Sequence, residues 1–120
     1  MHKYSFEKLE VWKESTQLAI KIYKISGLFP SREKFGLSSQ MRRCSVSISS
    51  NIAEGTSRLT SKDKAHFMTI AYGSAIELLN QAIISKELSL ITNESYLDLR
   101  KEIESITNKI NALRNHFLKT

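Results

Sequence analysis

The side chains best suited to chemistry are few, and they do not form a catalytic or metal-binding pattern. Asp63 and His66 have a spacing similar to half of a di-metal site in a helical bundle, but the chain has no second such pair. Cys44 is the only cysteine, which excludes an internal disulfide and any paired-cysteine motif. It lies on an apolar helical stripe, where a cysteine behaves as a small inert hydrophobic residue. We therefore predict that the protein is not an enzyme and has no metal and no cofactor.

Two glutamates occupy positions that call for a partner. Glu54 shares a helical face with Arg43 and two serines, which favours a structural ion pair. Glu77 lies between isoleucines on the second face of its helix, where a carboxylate at an interface needs a charged or hydrogen-bonding partner. Nothing in the spacing of the two indicates an acid–base pair.

Basic residues are concentrated in the middle of the chain. The net charge is +6, and residues 31–64 contribute +4 of it through seven basic and three acidic groups. Such a patch attracts polyanions, and contacts with phosphates release counterions. The alternative is a solvated surface that only aids solubility, because the patch lacks the stacking aromatic residues of single-strand binders. The candidate nucleic-acid contacts are Arg42, Arg43, Arg58, Lys62 and Lys64, with Arg32 and Lys34 secondary.

Four amphipathic helices are predicted to position these residues, at about 7–28, 36–55, 61–88 and 93–118. Apolar residues recur in them at alternating steps of three and four, the period of a helix with one buried face. Pro30 separates the first two helices, and Gly55 can end the second in a left-handed conformation. Caps are predicted at three places: Ser31 after Pro30, Thr60 or Ser61 before the third helix, and Thr92 or Asn93 before the fourth. The predicted fold is all-α, a single-domain antiparallel up-and-down four-helix bundle.

The composition also bears on the cellular compartment. With 120 residues, 41% hydrophobic and 25% charged, the chain has the profile of one globular domain. The longest stretch without a formal charge is residues 65–76, shorter than the roughly 20 residues of a membrane span. The N-terminus has no apolar segment typical of a secretory signal. We therefore expect a cytoplasmic protein without a membrane partner.

The two middle helices have apolar or small residues on more than one face, which predicts self-association. On the third helix the second face combines isoleucines with Gly and Ser, a combination that suits close contact with another helix. The alternative is that these are scattered exposed apolar residues, which are normal on protein surfaces. The candidate subunit-interface residues are Val46, Ala53, Ile70, Gly73, Ser74, Glu77 and Ile84.

An ordered set of short motifs resembles one known family. The motifs at 29–37, 40–43, 47–48, 51–55 and 70–74 read FPSREKFGL, QMRR, SI, NIAEG and IAYGS, after an opening FEKLEVW at 6–12. Together they are similar to the four helix bundle proteins encoded within intervening sequences of bacterial 23S ribosomal RNA genes. The sequence departs from the family pattern at Cys44 and Ser49, where Ala and Pro are common.

This resemblance implies a homopentameric ring with no known catalytic activity or cofactor. A similar bundle is the accessory protein of diversity-generating retroelements, a basic pentamer that acts with nucleic acid and a reverse transcriptase. Two hypotheses follow. The protein is either an oligomeric scaffold whose basic surface binds structured RNA or other nucleic acid, or a protein–protein adaptor whose basic residues are structural or pair between subunits.

Overall fold

In the computed structural model, which describes residues 1–119, the chain folds into four α-helices and two short 3₁₀ turns. The helices are α1 (Glu10–Ser26), α2 (Leu37–Thr56), α3 (Ser61–Glu87) and α4 (Asn93–Leu118), and the turns are Ser5–Lys8 and Ser31–Glu33. The predicted all-α four-helix bundle is confirmed. The first predicted helix was too long at both ends, because extended backbone at Leu9 separates α1 from the first turn and the chain leaves the helix before Pro30.

Two of the three predicted caps are present. The Thr60 side chain accepts a hydrogen bond from the Asp63 backbone N–H at 3.1 Å, and Thr92 accepts one from Ser95 at 3.0 Å. These bonds satisfy donors that the first turn of a helix leaves free. The prediction for Ser31 was wrong, because the turn at this point has Pro30 in the cap position and no side-chain cap bond.

Each helix packs against its two neighbours in the order α1, α2, α3, α4, so α1 lies diagonally across the bundle from α3. The buried stripe predicted from the helical period forms one core. Its fully buried large side chains include Leu18, Ile22, Ile48, Met68 and Ile103. Antiparallel packing brings the α2–α3 link together with both termini at one end of the bundle, and the other two links lie at the opposite end.

The edge between α1 and α4 is the most loosely packed of the four. Two lysines bridge it, and each is held by two carboxylates of the opposing helix. The pairs are Lys21 with Asp98 (2.6 Å) and Glu102, and Lys109 with Glu10 (3.0 Å) and Glu14 (2.6 Å). The hydrogen bonds to these carboxylates raise the pKa of both lysines. Polar bridges thus close an edge that apolar packing leaves open.

A groove of about 810 Å³ lies between the two lysine bridges, and we call it the α1–α4 groove. Its floor contains Ile106, which is only 1% exposed, whereas Ile20 at its side is 50% exposed. Three further lysines line it: Lys13, Lys24 and Lys101.

Gly55 has a different role from the one predicted. It lies inside α2 rather than in a left-handed helix end, and no glycine of residues 1–119 has a positive φ. A Cβ atom added at Gly55 would lie 2.5 Å from Cβ of Phe67 and 2.7 Å from Cε of Met68. The glycine is therefore required because α3 approaches the α2 backbone closely at this point.

Replacing Gly55 with alanine should destabilise the bundle. The overlap with Phe67 forces α2 and α3 apart, and overpacking of this kind outweighs the helix-propensity gain, so we expect a net loss of about 1 to 2 kcal/mol. Gly73→Ala is the matched control, because nothing lies within 4 Å of a Cβ at that position, and it should gain about 0.5 to 1 kcal/mol. Urea unfolding of both variants in dilute solution tests this. A Gly55→Ala variant as stable as Gly73→Ala would contradict it.

Candidate nucleic-acid and subunit interfaces

The seven predicted nucleic-acid contacts do not form one patch, because α2 separates them. Arg32 and Lys34 lie before α2 at one end of the bundle, and Arg58 and Lys62 lie after it at the other. The 20 residues of α2 correspond to about 30 Å. Charge that is contiguous in sequence is thus divided between opposite ends of the molecule.

The end formed by the α2–α3 link and both termini is strongly basic, and we call it the basic end. Residues 1–9, 57–66 and 112–119 carry seven basic and two acidic groups, a net +5 of the total +6. The opposite end, residues 24–36 and 84–97, carries four basic and three acidic groups, a net +1. Sequence reasoning missed four cations of the basic end, although the antiparallel topology that it predicted places both termini there. They are Lys3, Lys8, Arg114 and Lys119.

Aromatic rings hold two cations of the basic end in place. The guanidinium carbon of Arg58 lies 5.0 Å from the centre of the Phe67 ring, and its Nε lies 3.9 Å from Asp63 Oδ2. Lys64 Nζ lies 5.4 Å from the centre of the Phe117 ring. Such cation–π contacts order long side chains, and they do not neutralise the positive charge. Lys62 is exposed and has no ion pair within residues 1–119.

Arg42 is turned toward α1 rather than toward solvent. Its Nε donates to Ser26 Oγ at 2.8 Å, its Nη2 donates to the Tyr23 carbonyl oxygen at 3.2 Å, and its guanidinium covers the Tyr23 ring at 4.7 Å. These bonds supply donors to acceptors in the last turns of α1, where a cation also complements the helix dipole. These two hydrogen bonds and the ring contact give Arg42 a structural role, whereas the neighbouring Arg43 is exposed.

Helix α3 exposes an apolar surface along much of its length. An 18-residue window has a mean hydropathy of 1.2, so by length and composition the helix could cross a membrane, and only 33% of that window is buried within the chain. The exposed positions include Ile70 (39%), Ile76 (43%) and Ile84 (40%), with Gly73 and Glu77 between them. We call these five residues the α3 face. The absence of a membrane partner stays a prediction.

The remaining predicted interface residues differ in their surroundings. Val46 on α2 is 41% exposed. Ser74 is half-buried, because its hydroxyl lies 2.8 Å from that of Ser47 in the α2–α3 contact of the same chain. Ala53 is also half-buried and lines a shallow depression with Phe6 of the N-terminal turn. Contacts within the chain therefore engage Ser74 and Ala53, which the sequence had grouped with the exposed positions.

Cys44 and Glu77 meet at the side of the α2–α3 contact. The Cys44 thiol donates to Glu77 Oε2 at 2.8 Å, and Gln81 Nε2 lies 3.5 Å from the sulfur. Burial raises the pKa of the Cys44 thiol to about 11, and the hydrogen bond to Glu77 adds to the effect. The thiol is therefore protonated near neutral pH, where it lacks the nucleophilic thiolate form. The predicted Arg43–Glu54 ion pair is absent from the described residues.

The deprotonation of the Cys44 thiol should be visible in the pH dependence of the free energy of unfolding. Its pKa is raised from 9.0 to about 11 on folding, so its contribution is complete below about pH 9 and is lost as the pH rises toward 11. Urea unfolding between these pH values should show a smaller loss of stability in Cys44→Ala than in the wild type. The difference between the two curves isolates the thiol from Lys21 and Lys109, whose raised pKa values also make stability fall as the pH rises. Parallel curves would contradict the assignment.

The fold is similar to that of a crystal structure from Bacteroides thetaiotaomicron. That protein is described as one of unknown function from the S23 ribosomal protein family. The TM-score is 0.80 at 23% identity, over 87% of this chain and 97% of that chain. At this identity the likeness supports the fold alone. Comparison with curated proteins finds no significant match.

The sequence profile of one family matches residues 7–112, a range that includes α1 to α3 in full and most of α4. Its description is 23S rRNA-intervening sequence protein. The resemblance predicted from the ordered motifs is thereby confirmed for the family, and the link to the retroelement accessory protein stays a prediction. The chain belongs to the 23S rRNA-intervening sequence protein family.

Proposed function

We propose that this protein is a non-catalytic, cytoplasmic, self-associating scaffold whose basic end binds structured RNA. The observation that carries the proposal is the gathering of a net +5 at one end of a bundle whose other end carries +1. Concentrated positive charge raises the local concentration of a polyanion, and it contacts phosphates without reading sequence.

The chemistry of the basic end supports a backbone contact rather than base recognition. Its cations come from three separate segments that folding brings to one end: residues 1–9, 57–66 and 112–119. Phe67 and Phe117 lie beneath Arg58 and Lys64 and are covered by these cations, not free to stack on bases. A double-stranded or folded RNA, which offers regularly spaced phosphates, fits this arrangement better than an extended single strand.

Self-association is supported by the α3 face. Three isoleucines of one helix, each about 40% exposed, line a surface with a glycine between them. Several exposed apolar side chains on one helix are typical of a protein interface. The family resemblance adds the expectation of five subunits, and the likeness to the retroelement accessory protein adds that of a nucleic-acid partner. In such an assembly the basic ends of several copies would act together on one RNA.

A protein–protein adaptor is the second candidate function. It is favoured by the internal contacts of Arg42, Arg58 and Lys64, whose charges lie over rings of their own chain. In this case the cations would stabilise the bundle or the subunit contacts. Their removal would change the stability or the mass of the assembly and leave RNA affinity unchanged.

Neutralising the basic end should weaken RNA binding and flatten its salt dependence. The test variant is Lys3→Gln/Lys62→Gln/Lys119→Gln, which changes three exposed lysines of the basic end. Each lost phosphate contact lowers the slope of log K against log salt by about one, so a decrease of up to about three is expected. Fluorescence anisotropy with a labelled RNA hairpin of about 16 base pairs, at about 50 and 200 mM salt, measures the slope.

The matched control is Arg32→Gln/Lys34→Gln/Lys86→Gln, which removes three cations from the opposite end. Its slope should stay close to that of the wild type. Equal effects of the two triple variants would contradict a site at the basic end. Failure of the wild-type protein to bind the hairpin at the lower salt concentration would favour the adaptor.

A further inference from the structure

Resting on the self-association proposed above, we infer that the α3 face of one copy docks into the α1–α4 groove of a second copy. Glu77 of the first copy then faces Lys24 and Lys101 of the second. The inference follows from the position, apolarity and charge of two surfaces that the isolated chain leaves uncovered.

The two surfaces lie on opposite sides of the bundle. Helix α3 is diagonal to α1, and Glu77 lies toward α2 because it contacts Cys44. The α1–α4 groove opens on the side away from that contact. A contact between unlike surfaces is head-to-tail, so its repetition builds a ring or a filament instead of stopping at a dimer.

Apolar surface is present on both partners. The α3 face presents Ile70, Ile76 and Ile84, and the groove presents Ile20 with Ile106 on its floor. At the centre of the face, Gly73 has nothing within 4 Å of an added Cβ, so the intrachain packing does not require a glycine there. A second helix could approach the backbone closely at this position.

The charges of the two surfaces are complementary. Glu77 is the only charged residue between 65 and 85, and its carboxylate accepts a hydrogen bond from the Cys44 thiol. In the groove the acidic side chains are engaged by Lys21 and Lys109, whereas Lys13, Lys24 and Lys101 have no ion pair within residues 1–119. The groove therefore offers uncommitted cations to the one anion of the α3 face.

The same charge argues against packing two α3 faces on each other. A twofold contact centred near Gly73 would bring both copies of Glu77 close together, and like charges in an interface are costly. Docking into the groove replaces this repulsion with an attraction. We therefore commit to a second copy seated in the α1–α4 groove.

Mixing two assembly-defective variants distinguishes these arrangements. The face variant is Gly73→Gln/Ile84→Gln and the groove variant is Ile20→Glu, all at exposed positions. Each alone should associate at least roughly 30-fold more weakly than the wild type, measured by sedimentation equilibrium. An equimolar mixture at high concentration should form a one-to-one heterodimer, because each sample supplies one intact surface.

The control is Leu97→Glu, which changes an exposed leucine (53%) outside both surfaces and should assemble like the wild type. Circular dichroism and urea unfolding establish that each variant is folded. A groove variant that assembles like the wild type would overturn the inference and leave self-association intact, as would a mixture without heterodimer. A monomeric wild-type protein would overturn both.

A charge exchange tests the role of Glu77. Glu77→Lys should weaken assembly, and Glu77→Lys/Lys24→Glu should recover part of it, because every copy then carries the exchanged pair. A merely structural role of Glu77 beside Cys44 predicts no recovery, since Lys24 is remote from that thiol in the same chain. Absence of recovery would overturn the pairing.

Discussion

The rest of the structure depends on the packing of α3 between α2 and α4. Between residues 65 and 85 this helix carries a single formal charge, Glu77, and four of its alanines are buried, which allows the neighbouring helices to approach closely. At Gly55 the α2 backbone comes so near to Phe67 that no side chain fits. Tight packing on these two sides leaves α1 as the more loosely held helix, tied to α4 by lysine–carboxylate bridges. The groove between α1 and α4 follows from this asymmetry.

The antiparallel topology also separates charge from apolar surface. The links, the termini and the helix turns next to them carry 11 of the 18 basic groups, and seven of these 11 lie at the basic end. The exposed isoleucines lie along the side of α3. A polyanion at the basic end and a neighbouring copy at the side would therefore occupy different surfaces. Assembly and RNA binding need not compete in this arrangement, and assembly would increase the number of basic ends available to one RNA.

The helices were predictable because each has one sustained apolar stripe, and the caps at Thr60 and Thr92 follow from local hydrogen bonding. Features that depend on tertiary contacts were not predictable from the sequence. Gly55 reads locally as a helix end, and only its distance to α3 shows why it is a glycine. Arg42 reads as a basic surface residue, and only the position of α1 reveals its bonds to Ser26 and Tyr23. Counting charge in a sequence window misses groups that folding brings together from the termini.

Glu77 illustrates how one charge can select among arrangements of an apolar surface. The isoleucines of α3 have no directional preference, so they would pack on any apolar partner. A carboxylate among them penalises partners that bring an anion or leave it unpaired, including a second α3 face. Its hydrogen bond from Cys44 supplies a single neutral donor, which compensates only part of the loss of water. A surface with free lysines beside apolar side chains satisfies both requirements, and in this chain the α1–α4 groove provides one.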